Sequence, residues 1–143
     1  MPGVAPLGDG WVATWARRDI DGALSIQAAI LAGDGTPVGA SMQLASDAIE
    51  PVVASNGEQA AAAWLARDVH GWRVDVKRFA PPQTPSSREP QTVAQSTPGH
   101  WITGVALDVG DDGDIAVAWP EVGFHPETVF RSLGREFCQP RKN

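Results

Sequence analysis

The chain has 143 residues, 43% of them apolar and 20% charged, with a formal net charge of −6. That is the length of one ordinary domain and the composition of a globular one, which excludes a disordered chain. The acidic balance repels phosphate backbones and anionic lipid, so nucleic-acid and membrane partners are set aside, and no apolar run approaches the roughly 20 residues of a membrane helix.

The chain opens on MPGVAPLGDGW, which lacks the basic and apolar regions of a signal peptide, so as written it is not expected to be exported. A first strand is expected at GVAP. A Gly/Asp turn follows, then a second strand, WVATWA, that ends near Trp15. The turn after it carries Asp19 and Gly22. There Asp can bond nearby backbone amides and Gly can take a positive φ. A third strand is expected at ALSIQAAIL and a fourth at SMQLAS, separated by the Gly/Pro-rich loop AGDGTPVGA.

The pattern then begins again. WVATWARRDIDG (Trp11 to Gly22) is answered by AAAAWLARDVHG (Ala60 to Gly71), with Trp64 standing 49 residues after Trp15. The same offset sets Pro2 on Pro51, Ala5 on Ala54, Gly8 on Gly57, Arg18 on Arg67, Asp19 on Asp68 and Gly22 on Gly71. Ile20 falls on Val69. In the second unit the strands are expected at PVVA, AAAAWLA, WRVDVKRF and QTVAQ. Pro81, Pro82, Pro85 and Pro90 mark a non-helical loop before the last strand. One stretch argues against this reading. SNGEQAAAAWLAR is a run of strong helix formers behind a plausible cap at Ser55 or Asn56. Its counterpart in the first unit is β-branched and aromatic, and repeats share a fold, so a strand is expected.

A third unit follows. VALDVGDDGDIAVAWPE (Val105 to Glu121) repeats strand, turn and strand, its first strand expected at ITGVAL and its second at DIAVAW, and Trp119 lies 55 residues beyond Trp64. The extra length sits in STPGH and in a longer hairpin loop. After Trp119 only a third strand at Thr128 to Leu133 is expected. The basic residues Arg131, Arg135, Arg141 and Lys142 read as a solvated tail, and the single cysteine, Cys138, has no intrachain partner.

A period near 50 residues is the mark of units that cannot bury their apolar faces alone and must stack. Trp15, Trp64 and Trp119 then have a structural role, filling the gap between adjacent sheets. At these residues the chain resembles bacterial β-propeller repeat proteins, whose blades carry patterns of the kind met here at Pro51, Val53, Ala54, Gly57, Ala63 and Trp64, and in the GTPVG of Gly35 to Gly39. The resemblance covers roughly residues 2 to 121 and implies an all-β fold: a β-propeller-like array of about three four-stranded antiparallel blades. The units run over about 2–50, 51–100 and 101–134, with a tail at 135–143, in a single domain. Closed propellers have about four to eight blades. The chain is therefore a fragment, or an open stack, or completes a ring as a dimer.

The search for chemistry returns little. Asp108, Asp111, Asp112 and Asp114 share one loop, and four carboxylates can hold calcium. An EF-hand loop would need Glu where Trp119 stands, so a hairpin turn is expected instead. His70, His100 and His125 lack paired metal-ligand spacing. GDGTPVG lacks the Lys and helix of a phosphate loop, and no G-x-S-x-G occurs. No metal or cofactor is expected. Trp11, Trp72 and Trp101 lie off the repeated position, and exposed aromatics can anchor a partner. The expectation is a non-catalytic binding module whose loops at one end, around Trp72, Trp101, Asp108, Asp111 and Asp112, face a protein or glycan. The alternatives are a piece of a larger propeller hydrolase or lyase, with catalytic residues elsewhere, and a self-assembly module.

Overall fold

The structure is a computed structural model describing residues 2–79, 89–123 and 127–133. Pro81, Pro82, Pro85, His125, Arg135, Cys138, Arg141 and Lys142 fall outside these. Among the described residues the chain forms twelve strands and no helix.

Sheet 1 contains β1 (Gly3–Leu7), β2 (Gly10–Arg18), β3 (Leu24–Leu31) and β4 (Met42–Ser46), antiparallel and in sequence order. Sheet 2 contains β5 (Ala48–Ser55), β6 (Ala60–Asp68), β7 (Gly71–Phe79) and β8 (Gln91–Gln95) in the same order. In sheet 3, β11 (Ile115–Val122) has β12 (Glu127–Leu133) on one side. On its other side lie both β9 (Trp101–Ile102) and β10 (Ala106–Val109). The all-β, antiparallel reading is borne out. So is a third strand in the last unit.

The alanine run is a strand, and its burial explains its composition. Ala60 to Ala66 are all buried. Strand geometry sends alternate side chains to opposite faces. Ala60, Ala62, Trp64 and Ala66 pack with Ala5, Leu7, Val12, Ile26 and Ala28 of sheet 1. Ala61, Ala63 and Leu65 pack with Ile102, Val109, Ile115, Val117 and Trp119 of sheet 3. Sheet 2 is thus the middle layer, apolar on both faces. A central strand of this kind reads as a continuous apolar run, which helix propensity alone misreads.

Irregularities recur at matching places. The β7–β8 ladder shifts register between Val74 and Asp75, and the β3–β4 ladder between Ile26 and Gln27. The first strands are also broken opposite the tryptophans. β5 shifts register between Ile49 and Val52, across from Trp64. Here Asp47 and Glu50 take φ of 48° and 54°. The segment expected as one strand, ITGVAL, is split into β9 and β10 across from Trp119. Thr103 N–H donates to the Pro120 carbonyl at 3.3 Å, but Pro120 has no N–H to return the bond, so the ladder lapses there.

The sheets share one direction. Gly8 N–H in the β1–β2 turn donates to the Gly57 carbonyl in the β5–β6 turn at 2.7 Å. Asn56 Nδ2 donates to the Gly110 carbonyl in the β10–β11 turn at 2.9 Å. These three turns form the turn end of the molecule. The β2–β3 and β6–β7 hairpins lie at the opposite, hairpin end. β5 packs against both β1 and β10, so the first strands lie together.

Candidate functional site

Half of the exposed large apolar side chains among the described residues lie at the hairpin end. β6 and β7 close on a tight turn at Val69 and His70, where Asp68 Oδ1 accepts the His70 N–H at 2.7 Å. That bond holds the Asp68 carboxyl below its ordinary value. Gly71 closes the turn at φ 123°, and Gly22 closes the β2–β3 turn at φ 87°. Both glycines meet the expectation. Asp19 departs from it: its carboxylate pairs with Arg17 Nε at 2.9 Å, and Asp21 Oδ1 accepts the local amide, from Ala23. The difference lies two residues earlier: Arg17 stands where the second unit has Ala66, and it takes the Asp19 carboxylate, leaving Asp21 to make the Asx turn with Ala23.

Held this way, the turns push Ile20 and Val69 fully into solvent. Trp101, on the short edge strand β9, is 50% exposed at the same end, where it pairs with Val122. Trp72 is half-buried against the sheet 2–sheet 3 core, with the Arg67 guanidinium 5.8 Å above its ring. β9 packs against β7, which brings the Trp72 and Trp101 segments together. Behind them, Glu121 Oε1 accepts from Thr97 N at 3.0 Å and Thr97 Oγ1 at 2.9 Å, with His100 Nδ1 at 3.5 Å. The Thr97 N–H in particular holds the Glu121 carboxyl below its usual range.

The four-aspartate loop is not part of this end. Val109 pairs with Ile115 at one end of β11, and Trp101 pairs with Val122 at the other. The eight residues of β11 separate the loop from the tryptophans by roughly 25 Å at strand rise. The expected single surface over Trp72, Trp101, Asp108, Asp111 and Asp112 is therefore corrected: only the two tryptophans share an end. The loop itself is hairpin chemistry. Asp112 Oδ1 accepts the Asp114 N–H, Asp108 Oδ1 accepts the Val109 N–H, and Gly113 has φ 83°. Arg78 donates to the Gly113 carbonyl and to Gln59 Oε1, each at 2.6 Å, pinning the loop to sheet 2. No group of three or more metal-ligating side chains converges among the described residues.

A polar cleft of about 250 Å³ lies between sheets 1 and 2, lined in part by Ser46, Trp64, Arg73, Asp75, Glu89 and Thr92. Asp75 is buried and hydrogen-bonded through both oxygens. Arg73 Nε donates to both of its oxygens, at 2.9 and 3.1 Å, and Thr92 Oγ1 donates at 2.7 Å. Arg73 also reaches Asp68 at 2.9 Å. Its guanidinium is held above its ordinary pKa, chiefly by Asp75. Two protons, from Arg73 Nε–H and Thr92 Oγ–H, engage this carboxylate and tie it into the wall of the cleft.

Sequence reasoning passed over Ile20 and Val69. The signal was present: an apolar residue at the tip of a hairpin, between Asp and Gly, in two successive units. No family model, no curated protein and no solved structure matches the chain.

Proposed function

We propose that the chain is a propeller-like stack of blades, of the kind the bacterial β-propeller repeat proteins display, and that it works by binding a protein through its hairpin end. The stack is supported by the shared direction of the three sheets, the gathering of their first strands and the lodging of Trp64 and Trp119 between layers. Binding is supported by one observation above the others: Ile20, Val69 and Trp101 stand exposed at one end, one from each sheet. Apolar groups held out by rigid turns, rimmed by the Arg17–Asp19 and Arg67–Trp72 pairs, are the composition of a protein-contact surface. The exposed indole of Trp101 favours a glycan as the second reading, since sugars stack on such rings. The binding reading assigns no catalytic step, and it leaves Asp75 as the anchor of Arg73 and Thr92.

The test is capture of partners from source-cell extract with the wild-type chain and with an Ile20→Asp, Val69→Asp, Trp101→Ala triple variant, beside a glycan array. The variant is expected to lose a protein partner while keeping its melting temperature. Undiminished capture rejects the reading. Glycan binding that depends on Trp101 alone favours the second.

A further inference from the structure

We propose that the outer face of sheet 1 is a docking surface for a second copy of this chain, which presents to it the outer face of its own sheet 3. The argument comes from the two interfaces inside the molecule. In each, the tryptophan-bearing face of one sheet packs on the opposite face of the sheet before it. Ala60, Ala62 and Trp64 meet Val12, Ile26 and Ala28. Ile115, Val117 and Trp119 meet Ala61, Ala63 and Leu65.

Sheet 1 has the same tryptophan-bearing face, made by Trp11, Ala13 and Trp15 of β2 with Val4 of β1 across from Ala13. Trp15 stands opposite Gln27 as Trp64 stands opposite Asp75. No sheet among the described residues covers it. Val4 is 58% and Trp11 38% exposed, and Trp15 is only half-buried. The β1–β2 half of this face is apolar, beside Gln27 and Gln43 on β3 and β4, and an apolar patch of this kind is ordinarily covered.

The complementary surface is present on the same polypeptide. Ala116 and Ala118 of β11 stand where Ala61 and Ala63 stand on β6, and where Val12 and Thr14 stand on β2. Their half-buried side chains point away from sheet 2. The contact is therefore heterologous, sheet 3 of one copy against sheet 1 of the next, continuing the internal stacking. Such contacts close into a ring or extend into a filament. One residue works against it. Asp108 pairs with Ala116 at the place where Ala54 pairs with Ala61 and Ala5 pairs with Val12. An exposed carboxylate there must be desolvated on docking, which keeps the association weak and reversible. None of these residues belongs to the hairpin end, so the two proposals stand separately.

The test is the mass of the whole chain in solution by sedimentation and light scattering across a wide concentration range. Mass is expected to rise with concentration. Val4→Glu and Trp11→Glu, both at exposed positions, are expected to raise the dissociation constant roughly tenfold or more, and Asp108→Ala to lower it by a similar factor. Unchanged circular dichroism and melting temperature confirm that the variants are folded. A wild-type chain that stays monomeric at every concentration overturns the proposal, as does association indifferent to Val4→Glu. Association that responds to Val4→Glu and not to Asp108→Ala overturns the head-to-tail arrangement, because two sheet 1 faces would then be meeting each other.

Discussion

Trp15 and Trp64 occupy the same rung of their sheets, opposite Gln27 and Asp75, yet Trp64 is sealed between two sheets while Trp15 lies half-buried on an open face. Both are followed three and four residues later by Arg and Asp and seven later by Gly, with the first of these at Arg18 and Arg67. What differs is whether another sheet among the described residues packs on that face.

The two residues should therefore answer truncation differently. Trp64→Ala leaves a cavity in the middle of a packed interface and is expected to cost about 3–5 kcal/mol. Trp15→Ala removes a ring that still touches water and is expected to cost about 1–2 kcal/mol. Trp64→Phe keeps most of the packing and removes an indole N–H that has no acceptor among the described residues, so its loss should be much smaller than that of the alanine variant. Chemical denaturation of the three variants checks this, and equal losses at Trp15 and Trp64 would count against the open face.

Asp75 is expected to be a stability residue. Asp75→Ala removes the acceptor of Arg73 and Thr92, and the guanidinium is about 29% exposed, so water recovers part of its solvation. The expected loss is about 2–3 kcal/mol. In a double-mutant cycle Asp75→Ala and Thr92→Val should be non-additive, because they share one bond.

Acid stability should depend on Glu121. Its folded-state pKa is lowered, first by the Thr97 N–H. A depressed carboxylate contributes stability that is fully present above its unfolded value, about 4.3, and is lost as pH falls through the folded value. Glu121→Gln should remove that part of the acid limb and leave a smaller pH dependence below about pH 5. Denaturant titrations through the acid range measure it.

The two hairpin glycines should differ in tolerance. At Gly22 an added Cβ meets nothing within 4 Å, so Gly22→Ala pays only for its φ of 87°, about 1–2 kcal/mol. At Gly71 the Cβ would stand 2.8 Å from Ser96 Oγ, and Ser96 Oγ accepts the Trp72 N–H at 3.0 Å. Gly71→Ala should cost about 2–3 kcal/mol, and thermal melts of the two variants give the comparison.

Much of the fold was legible because strands and turns are local. The Asp/Gly turns, the alternation in WRVDVKRF and the matching of Trp15 with Trp64 placed most strands within a residue or two. The β9–β10 break was less visible, since it depends on which side of β11 the missing N–H of Pro120 faces. The grouping of the aspartate loop with Trp72 failed for a countable reason. Successive turns in an antiparallel sheet alternate between its two ends, so a turn between first and second strands and one between second and third cannot share an end.

By itself the sequence determined the strand content, the positions of the turns and that the alanine run is a strand. Tertiary structure alone decided which of the equivalent tryptophans is buried, which aspartate turns a hairpin and which is clamped by arginine, and that Ile20, Val69 and Trp101 come to one end. The physical reason is that backbone conformation is chosen over a few residues, whereas burial is conferred by the neighbouring sheet. Equivalent tryptophans thus meet different surroundings according to which sheets pack beside them.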